Sequence, residues 1–431
     1  MKIAIVGTGF TGLTAAYELA KAGHKVVVLE KEKQVGGLAA GFKEKNWDWP
    51  LEQTYHHLFA SDTVAFNLLA ELDLLDKLII KRPLTANLLS QRESRTTIYP
   101  FDSPLHLLRF SPLSLFARLR TGALIVFCKL NPFWQPLENL PAEQLVKLIA
   151  GSESWRVLWE PLMLGKFAGL SAGVSAAWFW ARIHKRTPKL CYLAGGFDMF
   201  ANKLVIEIQK LGGLIRLNTE VKAISKNKNK IPNIQIKCQK TQTKRLDSEI
   251  FDRVLVTAPA PIVAKLLPQS QASSIPHLHA QTLILETGEP LLKHTYWLNI
   301  LDRSFPFLAV VAHTNFMDPK HYGGHHLTYF GNYLPSGHRY LSMTKAQLLK
   351  QFLPYIQRLA PNSKFKILNF KLFTDLYAQP VPQLHYSQKA PQLKTSVSGV
   401  YLANLDSVYP WDRGINYAIA LGQNAAGAIA A

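Results

Sequence analysis

Gly7, Gly9 and Gly12 stand in the spacing G-x-G-x-x-G, and the carboxylate of Glu30 follows further along the chain. Glycines so spaced suit a dinucleotide. The first allows a tight turn, the second lets backbone approach a pyrophosphate, and the third lets a helix pack on a strand. The acid would accept both hydroxyls of an adenosine ribose and repel a 2′-phosphate. Phe10 and Thr11 inside the turn, and Lys31 beside the acid, belong to the same candidate site. A lone motif of this kind is common, so its context decides. The apolar run Ile3 to Val6 predicts a buried strand before the turn. A helix is expected from about Gly12 to Ala22, offering free N–H groups and the positive end of its dipole to phosphate. Gly23 ends it, and Lys25 to Leu29 predicts the second strand.

Other side chains able to do chemistry are scattered. Tyr55, His56 and His57 are consecutive and precede a helix that Ser61 or Asp62 can cap. Lys166 and Arg182 lie in a tryptophan-rich helical block, 141–186, where they either face an anionic substrate or form structural ion pairs. His325 and His326 have no third and fourth ligand at a supporting spacing, so no metal is expected. Aromatic residues alternate through Leu327 to Tyr333, a pattern suited to a sheet that floors a substrate cavity.

A second glycine pair, Gly36 and Gly37, is followed by Leu38 and small residues up to Phe42. Gly195, Gly196 and Phe197 open another helix, to about Leu211, ahead of the strands Ile215 to Leu217 and Thr219 to Ile224. A Lys- and Asn-rich hairpin, 225–248, should end in a solvated tip. The buried strand Asp252 to Thr257 then ends in Ala258-Pro259. The chain closes with strand Val400 to Ala403, the turn residues Asn404 to Asp406, and a small-residue helix entered at Gly414. In this order the motifs resemble the FAD-dependent amine oxidases, protoporphyrinogen oxidases and phytoene desaturases. The resemblance implies a Rossmann-like α/β FAD-binding domain assembled from residues 1–62, 191–268 and 395–431. An α+β substrate or cap domain would take 63–190 and 269–394. By the same resemblance Gly36, Gly37 and Leu38 run beside the pyrophosphate and flavin, and backbone at Val221 meets the adenine. Thr257, Ala258 and Pro259 lie near the nucleotide, and Asp406 bonds the ribityl chain or pyrophosphate. Ile415 and Asn416 offer backbone N–H groups to the flavin N1–C2=O edge.

With 431 residues the chain exceeds a single core, and 48% hydrophobic against 18% charged residues describes a folded globular protein. Cys128, Cys191 and Cys238 form no C-x-x-C, which fits a reducing cytoplasm. The first strand begins at once, so no signal peptide is expected. The net charge of +20 favours an anionic partner. No nucleic-acid module is recognisable, which leaves a membrane surface, a phosphorylated substrate, or simply a basic solvated exterior. Residues 105–134 are rich in Leu and Phe, punctuated by Arg109, Arg118, Arg120 and Lys129. Their longest apolar piece is far short of the roughly 20 residues a membrane span needs. They either lie as helices on an anionic membrane interface or bury their Leu and Phe inside a cap.

The expected chemistry is hydride transfer from an organic, lipid-like or other small substrate to flavin N5, with His56 as base or orienting donor and Tyr55 and His57 beside it. A second reading is a non-redox flavoenzyme resembling UDP-galactopyranose mutase, with Arg and Tyr residues clamping a nucleotide-sugar diphosphate. The third, a pyridine-nucleotide dehydrogenase or a flavin-bearing protein without turnover, lacks a second G-x-G-x-x-G.

Overall fold

The computed structural model describes the chain except residues 92–94, 227–233, 269–274 and 362–364, and the side chains of 91 and 95. The tip of the 225–248 hairpin therefore lies outside the described residues. Five short aliphatic strands form an all-parallel sheet in the order Leu214–Arg216, Lys25–Leu29, Lys2–Val6, Arg253–Val256 and Val400–Leu402. Helices cover it, so its central strands are buried on both faces, as the continuous Val/Ile/Leu runs require. Three distant stretches of chain thus contribute to one sheet. The first helix, Phe10–Lys21, packs on the closing helix, Ile415–Ala430, at Gly422, where a Cβ would lie 2.5 Å from the Thr11 carbonyl oxygen.

A second, seven-stranded sheet runs in the order Ile367–Pro380, His277–Thr287, His326–Leu334, Ala309–Ala312, Thr295–Ile300, Leu84–Gln91 and Arg95–Pro100. Leu84–Gln91 pairs parallel with Thr295–Ile300, which joins the two cap segments into one sheet across the intervening nucleotide segment. Alternation on His326–Leu334 sends Phe330 towards helix Lys345–Leu359, while Leu327 and Tyr329 face the nucleotide-domain core. A small sheet of Leu58–Phe59, Leu190–Leu193 and Leu78–Lys81 stitches the two parts together.

The remaining cap is helical: Leu115–Leu130, Ala142–Ser154, a π turn at Trp155–Trp159, Glu160–Phe167 and Ala176–His184. The 105–134 segment buries Leu107, Phe110, Leu113 and Leu124, but helix Leu115–Leu130 does not bury all of its large apolar residues. It turns Ala117, Thr121, Leu124 and Cys128 inward and leaves Leu115, Phe116 and Leu119 in solvent. Among the described residues no helix is long and apolar enough to cross a membrane.

Candidate active site

All five parallel strands end on the same side, and the glycine turns sit in the crevice outside those ends. Gly7 has φ +108°, and a Cβ there would meet Thr257 Oγ1 at 2.5 Å. At Gly12 a Cβ would lie 2.1 Å from the Gly7 carbonyl oxygen. Gly9 differs from both, because a Cβ built on it meets no atom within 4 Å. The space at Gly9 is what a phosphate needs, and the first helix begins there without a side-chain cap. Phe10 is buried against Phe200, while Thr11 beside it is half-buried. Gly36 bridges Gly9, and a Cβ on Gly37 would lie 3.0 Å from Gly9 Cα, so the second glycine pair packs directly on the phosphate turn.

Glu30 is buried, and Thr8 locks it with both backbone N–H and hydroxyl, 2.9 and 2.7 Å from Oε2. The Glu32 N–H donates to Oε1 at 3.0 Å, so Oε2 is filled by Thr8 and Oε1 keeps a lone pair for a ribose hydroxyl. Lys31 is exposed and pairs with Glu32. Leu38 sits in the turn Gly37–Ala39. At Val221 the strand register slips by one residue before Ala223, so backbone at this point is displaced from regular pairing. Thr257 donates to the Val6 carbonyl, the Ala258 carbonyl accepts from Asn404, and Pro259 starts a short helix.

At the closing helix, Gly414 is the N-cap with no side-chain cap, so the N–H groups of Ile415 and Asn416 remain for a ligand. The Asn416 side chain is occupied elsewhere. Its oxygen accepts the Ala65 N–H at 3.0 Å and thereby caps helix Thr63–Glu71. Neither Ser61 nor Asp62 performs that task; Asp62 accepts from the Phe59 N–H instead. Asp406 is fully buried, and its two oxygens accept from His277 at 2.6 Å and the Ala260 N–H at 3.2 Å. Its carboxylate therefore faces protein. Two uncapped helix starts, a buried acid held ready for a ribose hydroxyl and a turn with room at Gly9 together fit a dinucleotide.

His56 Nδ1 lies 2.6 Å from the Thr54 carbonyl. A carbonyl only accepts, so Nδ1 carries the proton. Burial lowers the pKa of His56 to about 4, with Arg413 adding to the effect, and Nε2 is then a neutral acceptor. This makes His56 an orienting acceptor rather than a donor or strong base. Burial, then Arg186, His56 and Arg182, lower His57 to about 3, and its ring stands edge-on to Trp297. Tyr55 also stands edge-on to Trp297 at 4.9 Å, its ring filling the space left by Gly331, where a Cβ would approach to 2.9 Å.

Tyr55 joins a charged cluster that its neighbours in the chain do not reveal. Asp412 accepts from Lys166 at 3.1 Å, from Arg182 at 2.5 Å and from Trp178 Nε1 at 3.4 Å. Arg413 donates to the Tyr333 hydroxyl and the Ala378 carbonyl. Burial alone would raise the Asp412 carboxyl, but Lys166, Arg182 and Arg413 outweigh it and hold the group well below the usual range. Burial likewise pushes Tyr333 up, yet Arg413, Lys166 and a hydrogen bond from Tyr55 bring it below its ordinary value. Burial and Tyr333 keep Tyr55 protonated. The local signal was Asp412-Arg413 directly ahead of Gly414. Among the described residues no group of three or more His, Cys, Asp or Glu could hold a metal; His325 bonds Glu286.

A model of the flavin containing amine oxidoreductases matches residues 10–430. Over 94% of its length the chain is 24% identical to 15-cis-phytoene desaturase, chloroplastic/chromoplastic, of Narcissus pseudonarcissus, covering 75% of that protein. An L-amino-acid oxidase of Crotalus adamanteus is 50% identical over only 46 residues, 11% of this chain and 9% of that one. The backbone resembles a candidate protoporphyrinogen oxidase from Exiguobacterium sp. 255-15, with TM-score 0.77, 17% identity and coverage of 99% and 98%. It also resembles reduced UDP-galactopyranose mutase, with TM-score 0.73, 14% identity and coverage of 100% and 93%. At such identities the structures speak for the fold.

Proposed function

The chain belongs to the flavin containing amine oxidoreductase family, and from that premise we propose that it dehydrogenates an organic substrate bearing an anionic group. It is an oxidoreductase, and FAD, the family's cofactor, supplies the hydride acceptor when bound. Gly9 to Gly12 and Glu30 would hold the adenosine diphosphate half, and Ile415 and Asn416 the flavin edge. The observation that carries the substrate class is the cluster beside Tyr55, where Lys166, Arg182 and Arg413 surround the Asp412 carboxylate and Asp375 acts on Arg413 as a second acid. That arrangement holds more positive than negative charge in a low-dielectric setting, and a carboxylate or phosphate on the substrate would balance it. Tyr55 and Trp297 wall the site with rings, exclude water and orient the reacting carbon. Neutral His56 and His57 accept hydrogen bonds there without adding charge.

The test is anaerobic bleaching of the FAD-loaded protein's blue absorbance by paired substrates that share a skeleton, one anionic and one neutral. The anionic partner should bleach it faster, and Arg182→Met should raise the concentration required. Equal rates for both partners would remove the anionic-group reading.

A second reading is favoured by the same cluster. Arg182, Arg413, Tyr55 and Tyr333 also make a clamp suited to a diphosphate, so a non-redox rearrangement of a nucleotide sugar is the alternative. Turnover that requires a trace of dithionite yet consumes no electron acceptor would favour it.

A further inference from the structure

Helix Leu115–Leu130 shows an arrangement opposite to that of an ordinary surface helix. At about 100° per residue, its exposed Leu115, Phe116, Leu119, Ala123, Val126 and Leu130 fall within an arc of about 100°. Ala117, Thr121, Leu124 and Cys128 occupy the opposite arc and pack on the cap. Leu124 is buried and Phe127 half-buried on the cap side, but on the outer face Phe116 is 70% and Leu130 76% exposed. The face extends beyond the helix. Arg118 bonds the Leu108 carbonyl on one side and Arg120 the Leu148 carbonyl on the other, which places exposed Leu108 and Leu148 along its flanks.

Among the described residues Arg118, Arg120 and Lys129 form no ion pair, although Glu153, whose pKa the hydrogen bonds from Ser114 lower, lies close enough for Arg118 to lower it further. Arg118 donates to the carbonyls of Leu113 and Leu108, Arg120 to those of Ile149 and Leu148, and Lys129 to those of His184 and Arg186. Glu153 is the acid beside the helix, and it accepts from Ser114 at the helix's amino end. An apolar ridge with basic flanks, on a chain of net charge +20, is complementary to a bilayer whose surface is anionic. With 16 residues the helix is about 24 Å long and fits along an interface. A second copy is a poorer occupant. An isologous pairing of this face would bring Arg118, Arg120 and Lys129 of both copies together.

We infer that this face docks the protein on an anionic phospholipid surface, with the Leu/Phe ridge among the acyl chains and the flanking cations at the lipid phosphates. The experiment is co-sedimentation of the full-length, FAD-loaded protein with vesicles of phosphatidylcholine alone or with about one-third phosphatidylserine. Binding should require the anionic lipid and weaken between about 0.05 M and 0.5 M salt. The double variant Leu119→Glu/Val126→Glu, its fold verified by bound flavin and an unchanged melting temperature, should partition at least about tenfold less. Leu246→Glu, at a comparably exposed position on strand Leu246–Phe251 outside this face, should bind as the parent does. Absence of binding to either vesicle overturns the inference, as does equal loss with Leu246→Glu. A concentration-dependent dimer that the double variant dissolves, without vesicle binding, overturns it in favour of a second copy.

Discussion

Replacing Gly9 by alanine should separate cofactor binding from folding, because the two glycines around the phosphate turn differ in what surrounds them. Gly9 has φ −65° and ψ 169°, a conformation open to any L residue, and a Cβ on it touches nothing within 4 Å. The substitution is therefore expected to stabilise the cofactor-free chain by roughly 0.4–1 kcal/mol, through the lost freedom of the unfolded state. The same methyl stands where a pyrophosphate oxygen would approach the start of helix Phe10–Lys21. Holding that oxygen off even one N–H removes a hydrogen bond to a charged group, about 1.5–3 kcal/mol. FAD affinity should fall roughly ten- to a hundredfold. Gly12→Ala supplies the contrast, since its Cβ would sit 2.1 Å from the Gly7 carbonyl oxygen and the turn itself must give way. Titration of the apoprotein with FAD, followed by quenching of flavin fluorescence, measures the affinity, and urea unfolding measures the stability. Unchanged affinity in Gly9→Ala, or stability lowered by more than about 1 kcal/mol, would refute the assignment of this space to the phosphate.

Glu52→Gln addresses a different buried group. Burial raises the Glu52 carboxyl from 4.5 to about 7, against hydrogen bonds from the Phe197 N–H and the Tyr192 hydroxyl. Because the folded pKa is the higher one, its favourable contribution is complete below pH 4.5 and is lost as pH rises through about 7. The parent should therefore lose up to roughly 3 kcal/mol of stability relative to the glutamine variant between pH 5 and 8, as read by urea unfolding at each pH. Asp412→Asn leaves Lys166, Arg182 and Arg413 without their shared counter-charge and should cost about 3–5 kcal/mol. Inorganic phosphate should restore part of the melting temperature if the cluster is an anion site. Asn416→Ala should lower stability by about 1 kcal/mol through the uncapped Ala65 N–H while leaving FAD affinity unchanged, because on the proposed reading only its backbone would meet the flavin edge. Loss of FAD at unchanged melting temperature would reverse the two roles.

What could be read from the chain follows from how local each cause is. The turns at Gly7 to Gly12 and Gly36 to Gly37 are dictated by neighbouring residues, so their spacing alone reveals them. Strand Lys25–Leu29 ends just where the apolar run ends. The cluster around Asp412 could not be read in this way. Its members come from helix Glu160–Phe167, helix Ala176–His184, strand His326–Leu334 and the approach to the closing helix, and only tertiary packing brings them together. Asp62 shows the same limit at shorter range. It has the right type for a cap, but Asn416, from the other end of the chain, reaches the free N–H of its helix.

Helix Leu115–Leu130 marks where periodicity becomes ambiguous. A 3.6-residue pattern shows that a helix has unlike faces, yet it cannot say which face is inside when both are apolar. Here side-chain size decides. Ala117, Thr121 and Cys128 allow close approach to helix Ala142–Ser154, and the Thr121 and Ser154 hydroxyls meet at 2.7 Å within that contact. A stripe of leucine and phenylalanine in the same place would hold the helices apart and break that contact. The small face is therefore inward and the large one outward, and the cost of exposing the large face is what makes a lipid partner the physically consistent reading of this surface.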